Sequence, residues 1–69
     1  MKLSARNILK GKVTMLKPGA INTEVILELP GGAQIVSIIT KESAENLGLA
    51  VGKTAYAVIK ASSVMIGVD

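Results

Sequence analysis

The 69-residue chain predicts an all-β fold: a small barrel of five short strands with one helix between the third and the fourth. Three observations predict it. Apolar and polar residues alternate with a period of two over most of the chain. Gly-containing turn signals divide that pattern at Pro18-Gly19, Pro30-Gly31-Gly32 and Val51-Gly52-Lys53. One stretch, Lys41 to Leu47, departs from alternation and carries helix start and stop signals.

The first strand is predicted over Ile8 to Lys17. Leu9, Gly11, Val13 and Met15 fall on one face, and Lys10, Lys12 and Thr14 on the other. Pro18-Gly19 reads as a turn in which Pro sets φ and Gly accepts a positive φ. The second strand, Ala20 to Leu29, has the cleanest alternation. Ile21, Thr23, Val25, Leu27 and Leu29 oppose Asn22, Glu24, Ile26 and Glu28. Pro30-Gly31-Gly32 predicts a tight hairpin. The third strand, Ala33 to Thr40, is apolar on both faces through Ile35, Val36, Ile38 and Ile39. In so short a chain this predicts core on one side and another subunit on the other.

Thr40 is the predicted N-cap of the helix, Glu42 suits its first turn, and Gly48 ends it. Thr54 to Lys60 forms the fourth predicted strand. Val64 to Val68 forms the fifth. This β-β-β-α-β-β order is that of the OB-fold, a small Greek-key barrel. No repeat, linker or low-complexity segment divides the chain, so residues 1–69 read as a single domain.

Composition narrows the function. With no Cys there is no disulfide, and with neither Cys nor His there is no ordinary zinc or iron–sulfur site. A domain this small needs another support, and self-association is the one left. The absence of His and Cys also removes the usual nucleophilic and acid–base sets, and Glu24, Glu28, Glu42, Glu45 and Asp69 show no paired arrangement. The expectation is a binding protein, not an enzyme, with no catalytic cofactor. OB-folds that bind single-stranded nucleic acid pair a basic groove with aromatic platforms. Here Tyr56 is the sole aromatic residue and the net charge is only +3, so nucleic acid is not the expected partner. No signal peptide and no apolar run of about 20 residues is visible. A cytoplasmic location without membrane contact is expected.

Two stretches concentrate hydrogen-bond donors. Ser4-Ala5-Arg6-Asn7 leads into Leu9-Lys10-Gly11-Lys12-Val13, and Val58-Ile59-Lys60-Ala61-Ser62 lies near the other end. Donors that converge select an anion with oxygen atoms on its rim. Dispersed, the same residues are a solvated arm.

With Gly19-Ala20-Ile21-Asn22-Thr23-Glu24-Val25 and Ile39-Thr40-Lys41-Glu42-Ser43 between them, these stretches resemble the molbindins. These are small molybdate-binding Mop proteins, built on a TOBE-type module. The resemblance runs through nearly the whole chain, in order and in spacing. It implies the OB-fold and reversible binding of molybdate or tungstate at subunit interfaces of a homohexamer, a trimer of dimers. It implies a role in molybdenum storage and homeostasis. Carried over by motif, it nominates Ser4, Arg6, Thr40, Ser43, Lys60 and Ala61 as oxyanion ligands, Ala61 through its N–H. Asn7 and Ser62 are secondary candidates, as are Gly19, Ala20 and Asn22 for a second class of site. Two other readings stay open. One is a regulatory interaction module controlled by the anion. The other is a single-strand nucleic-acid binder.

Overall fold

The computed structural model describes residues 1–69. Its elements are β1 (Asn7–Pro18), β2 (Asn22–Glu28), β3 (Gln34–Thr40), α1 (Lys41–Asn46) and β4 (Thr54–Ile59), followed by a 3-10 turn at Ala61–Ser63. The strands form one antiparallel sheet in the order β3-β2-β1-β4. It is the mostly-β sheet with one short helix that the OB-fold reading expects.

β1 is long because it serves two neighbours. Its first half, Asn7 to Lys12, pairs with β4, and its second half, Lys12 to Pro18, pairs with β2. The change of partner centres on Val13. Its N–H donates to the Lys53 carbonyl at 2.9 Å, and its carbonyl accepts from Gly52 N–H at 2.8 Å. Gly52 adopts φ 92°, a conformation that costs glycine little. The β1–β2 register slips between Val13 and Met15, so Thr14 is a bulge residue. Its hydroxyl donates to the Ile26 carbonyl at 3.4 Å.

The bulge corrects the predicted faces of β1. Alternation put Met15 on the face of Val13. One extra residue reverses the phase, so Leu16 packs against the core while Met15 faces outward. The Pro18-Gly19 turn differs as well. Gly19 does not take a positive φ. A Cβ there would lie 3.0 Å from the Asn22 carbonyl, whose oxygen accepts from Gly19 N–H at 2.7 Å, so glycine serves close approach. The β2–β3 hairpin forms as predicted, with Gly31 and Gly32 at positive φ. So does the helix. Thr40 Oγ1 accepts from Ser43 N–H at 3.0 Å, and Gly48 leaves the helix at φ 63°.

The predicted fifth strand does not form within the chain. Residues 64–68 pair with no strand, and Met65 and Ile66 are 92% and 87% exposed. A strand needs an edge to pair with, and the 3-10 turn carries this segment away from its own sheet. The Cα radius of gyration, 12.7 Å, reflects that extension. A compact chain of this length would give about 11 Å.

Only Val13, Val25 and Leu27 form the buried apolar core, with Thr23 buried beside them. β3 and β4 are both sheet edges, and between them runs an apolar groove of about 710 Å³. Ile35, Ile39, Leu49, Ala57 and Ile59 line it. A core this small leaves a solitary copy marginal. Light scattering at micromolar concentration is expected to return a mass well above the 7.1 kDa of one chain. The β1 crossover also generates a prediction. A Cβ at Gly11 would stand 2.8 Å from the Glu28 carbonyl oxygen, a backbone atom that cannot swing aside. Gly11→Ala should therefore destabilise the fold by about 1–3 kcal/mol in denaturant titration.

Candidate functional site

The strand register sorts the nominated residues into two clusters. The first lies where β1 begins and β4 ends. Asn7 pairs with Ile59, so Arg6 and Lys60 flank that pair on adjacent stretches of the same chain, with Ser4 just beyond. Arg6 and Lys60 are exposed and Asn7 is half-buried. Lys60 leads into the 3-10 turn, where Ser63 N–H donates to the Lys60 carbonyl at 2.9 Å and Val64 N–H to the Ala61 carbonyl at 3.3 Å. The N–H groups of Ala61 and Ser62 open the turn and so find no partner inside it. Two cations, an amide, hydroxyls and open N–H groups thus meet at one corner. The sequence places no carboxylate in Ser4–Asn7 or Lys60–Ser63.

The second cluster lies where β3 passes into α1. Thr40 pairs with Asn22, and Lys41 N–H donates to the Ile21 carbonyl at 2.8 Å. This joins Thr40 and Ser43 to the turn that holds Gly19 and Ala20. The Thr40 hydroxyl donates to Ser43 Oγ at 2.7 Å, so the two hydroxyls already form a linked pair. Lys41, directly after Thr40, adds a cation that the motif reading left out. Its signal was adjacency to Thr40. Sequence reasoning had separated Asn22 from Thr40 by class of site, whereas the sheet makes them neighbours.

The two clusters are not brought together within one chain. β1 is a 12-residue strand; the first cluster sits at its Asn7 end, and the second is tied to β2 near its Pro18 end. Each offers donors and neither encloses an anion. No group of three or more His, Cys, Asp or Glu side chains is placed to hold a metal cation. No helix is long and apolar enough to cross a membrane.

Comparison with known proteins places this geometry. The TOBE domain model matches residues 3–66. Molybdenum-pterin-binding protein 1 of Clostridium pasteurianum is 54% identical over 66 residues, which cover 96% of this chain and 97% of that protein. MopII from the same organism superposes with a TM-score of 0.92 at 49% identity, covering 97% of this chain and all of that one. The cytoplasmic molybdate-binding protein ModG, solved with molybdate bound, superposes with a TM-score of 0.95 at 54% identity. That match covers all of this chain and 49% of ModG. With the same curled sheet, matched from end to end at about half identity, this chain belongs to the TOBE domain family of molybdenum-pterin- and molybdate-binding proteins.

Proposed function

We propose that this chain binds molybdate, and tungstate in the same way, reversibly and without bond breaking, at interfaces between copies of itself. The role is intracellular molybdenum storage and homeostasis in the cytoplasm, and the assembly is a hexamer of three dimers. The observation that carries the reading is the meeting of Arg6, Lys60 and the open Ala61 N–H at one corner of the sheet. Molybdate is a tetrahedral dianion with acceptor oxygens only, so its site needs donors and excludes carboxylates. Arg6 supplies a planar fork and Lys60 a point charge. Similarity to ModG, which holds molybdate, supports the same ligand here.

The separation of the clusters supports an interface site. Ser4, Arg6, Lys60 and Ala61 of one copy form one half, and Thr40 and Ser43 of another form the second. Residues 64–68 give a way to bring the halves together. They are apolar, unpaired and exposed, while the groove between β3 and β4 is apolar and uncovered. Seated on the groove of another copy, they add a strand to an open edge and draw Lys60 and Ala61 into the contact. Asn7 and Ser62 lie close enough to assist. Gly19, Ala20 and Asn22 serve a second site beside Thr40.

Calorimetric titration of anion-free protein tests the reading. Molybdate and tungstate should bind far better than sulfate, which has the same charge but is smaller. Donors held for the larger ion are left unpaired by the smaller one. Equal affinity for sulfate would reduce the site to a generic basic patch.

A second prediction assigns the donors. Charge-assisted hydrogen bonds contribute about 1.5–3 kcal/mol each, and about 1.4 kcal/mol is tenfold in affinity. Arg6→Ala and Lys60→Ala should each weaken molybdate binding roughly tenfold to a hundredfold or more. Lys10→Ala removes equal charge outside the proposed site and should change affinity little. A matched loss in all three variants would show diffuse electrostatics instead of a site.

A further inference from the structure

Charge is divided unevenly along this chain. Residues 1–23 and 46–68 contain no carboxylate side chain and every basic residue except Lys41. Residues 24–45 contain Glu24, Glu28, Glu42 and Glu45. The fold turns this division into one in space. β1 and β4 come from the carboxylate-free stretches and lie side by side at one end of the strand order, whereas β2 and α1 carry the glutamates. The sheet thus has a cationic side and an anionic side. The proposed anion site uses Arg6 and Lys60, at one corner of the cationic side. Lys10 and Lys12 are exposed on the same side and have no part in that site.

These two lysines stand where the neighbours of β1 part. Lys12 pairs with Glu28 on β2 and with Thr54 on β4, so one carboxylate balances its charge across the ladder. Lys10 pairs only with Tyr56, because β2 has ended beside it. An open cleft of about 540 Å³ occupies the gap. Lys10, Lys12 and Thr14 line it from β1, Thr54 lines it from β4, and Leu29 and Pro30 give it an apolar end. Ile8 and Tyr56 share the outer face with Lys10 and are 38% and 49% exposed. Tyr56 is the sole aromatic residue of the chain, and it also lines the rim of the β3–β4 groove.

An exposed tyrosine and aliphatic set among cations and hydroxyls have the make-up of a protein-binding surface, an aromatic anchor with a polar rim. The sign of the rim selects an acidic partner, since complementary potentials guide encounter and like charges are rejected. Nucleic acid is a poorer match, because base stacking draws on several aromatic platforms and this face has one. We propose that the outer face of β1 and β4, centred on Lys10, Tyr56 and the cleft at Lys12, docks an acidic segment of another protein. The segment lies extended, with carboxylates at Lys10 and Lys12 and aliphatic side chains against Ile8, Tyr56 and Pro30. This surface shares no residue with the proposed anion site.

A short fluorescein-labelled peptide of repeating Glu-Glu-Val-Val tests it by fluorescence anisotropy. Extended, that peptide sets carboxylates and aliphatics alternately along each of its faces. It should bind, and a Lys-Lys-Val-Val repeat of the same length should not. Lys10→Gln/Lys12→Gln should weaken the acidic peptide roughly tenfold to a hundredfold, because each charge-assisted hydrogen bond is a factor of about ten or more. Tyr56→Ser should weaken it about fivefold or more, as truncating an interface anchor does. No binding by the parent, or an affinity unchanged in either variant, would overturn the proposal. An oligothymidylate of equal charge should bind more weakly; if it binds more tightly and displaces the peptide, the face is a nucleic-acid surface and the proposal fails. Arg6→Ala and Lys60→Ala should each leave peptide affinity within a factor of about two, since charges more than a Debye length away are screened. A loss there equal to that of the lysine pair would put the peptide on the anion corner and overturn the proposal. Lys10→Gln/Lys12→Gln should also keep the parent mass in light scattering. A fall in mass would make this face a contact between copies instead. Circular dichroism checks that each variant keeps its sheet. If removing Lys12 leaves Glu28 unmatched and costs the fold, Lys10→Gln alone carries the charge test. Molybdate does not enter these measurements, so their failure leaves the proposed function standing.

Discussion

The structure depends on the junction at Val13. There a single strand leaves one partner and takes another, and three interactions hold the change. The Val13 backbone bonds in both directions to the Gly52–Lys53 turn. Its side chain is the largest that is fully buried. The following residue bulges and returns its hydroxyl to the Ile26 carbonyl. A bulge sharpens local twist, which lets one long strand belong to both sides of a curled sheet. Gly11, just before the junction, lets the β1 backbone pass the end of β2. The register of the later ladder, and so which β1 residues face outward after Val13, follows from that one inserted residue.

The chain has little else to stabilise it. Three buried aliphatics, no disulfide and no metal-ligand cluster leave most of its apolar surface unburied. Its sheet has two open edges bordering an apolar groove, and its last residues carry apolar side chains with nothing to pack on. Surface-to-volume scaling makes a solitary domain of this size marginal. In the proposed function, contacts between copies would answer that deficit. In the proposed function they also bring anion ligands together, so folding, assembly and binding draw on the same surfaces.

This linkage gives the proposed site a physical logic. A dianion bound between copies is surrounded by more donors than one exposed corner offers. Covering those donors strengthens each charge–dipole contact by lowering the local dielectric. It also makes selectivity by size attainable, because covered donors cannot turn to water when a smaller ion leaves them unpaired. Lys41, beside Thr40, places an additional cation near the second half-site.

Local chemistry determined much of this protein from its sequence. Alternation located four strands, Thr40 and Gly48 bounded the helix, and Gly31-Gly32 made the hairpin, because each signal acts within a few residues. The motifs around Arg6, Thr40 and Lys60 were legible as a family resemblance, and the fold and family followed from it. Tertiary structure decided what local chemistry leaves open. Thr14 carries no mark of a bulge, since any residue can be the extra one, so the faces of β1 after Val13 were set only by pairing with β2. Gly19 could have taken either sign of φ, and the approach of Asn22 chose. Val64 to Val68 has the composition of a strand, but strand pairing is non-local, and the segment that follows the 3-10 turn at Ala61–Ser63 pairs with neither open edge of its own sheet. Whether Thr40 and Arg6 meet is likewise a question of register, and one chain places them at opposite ends of β1.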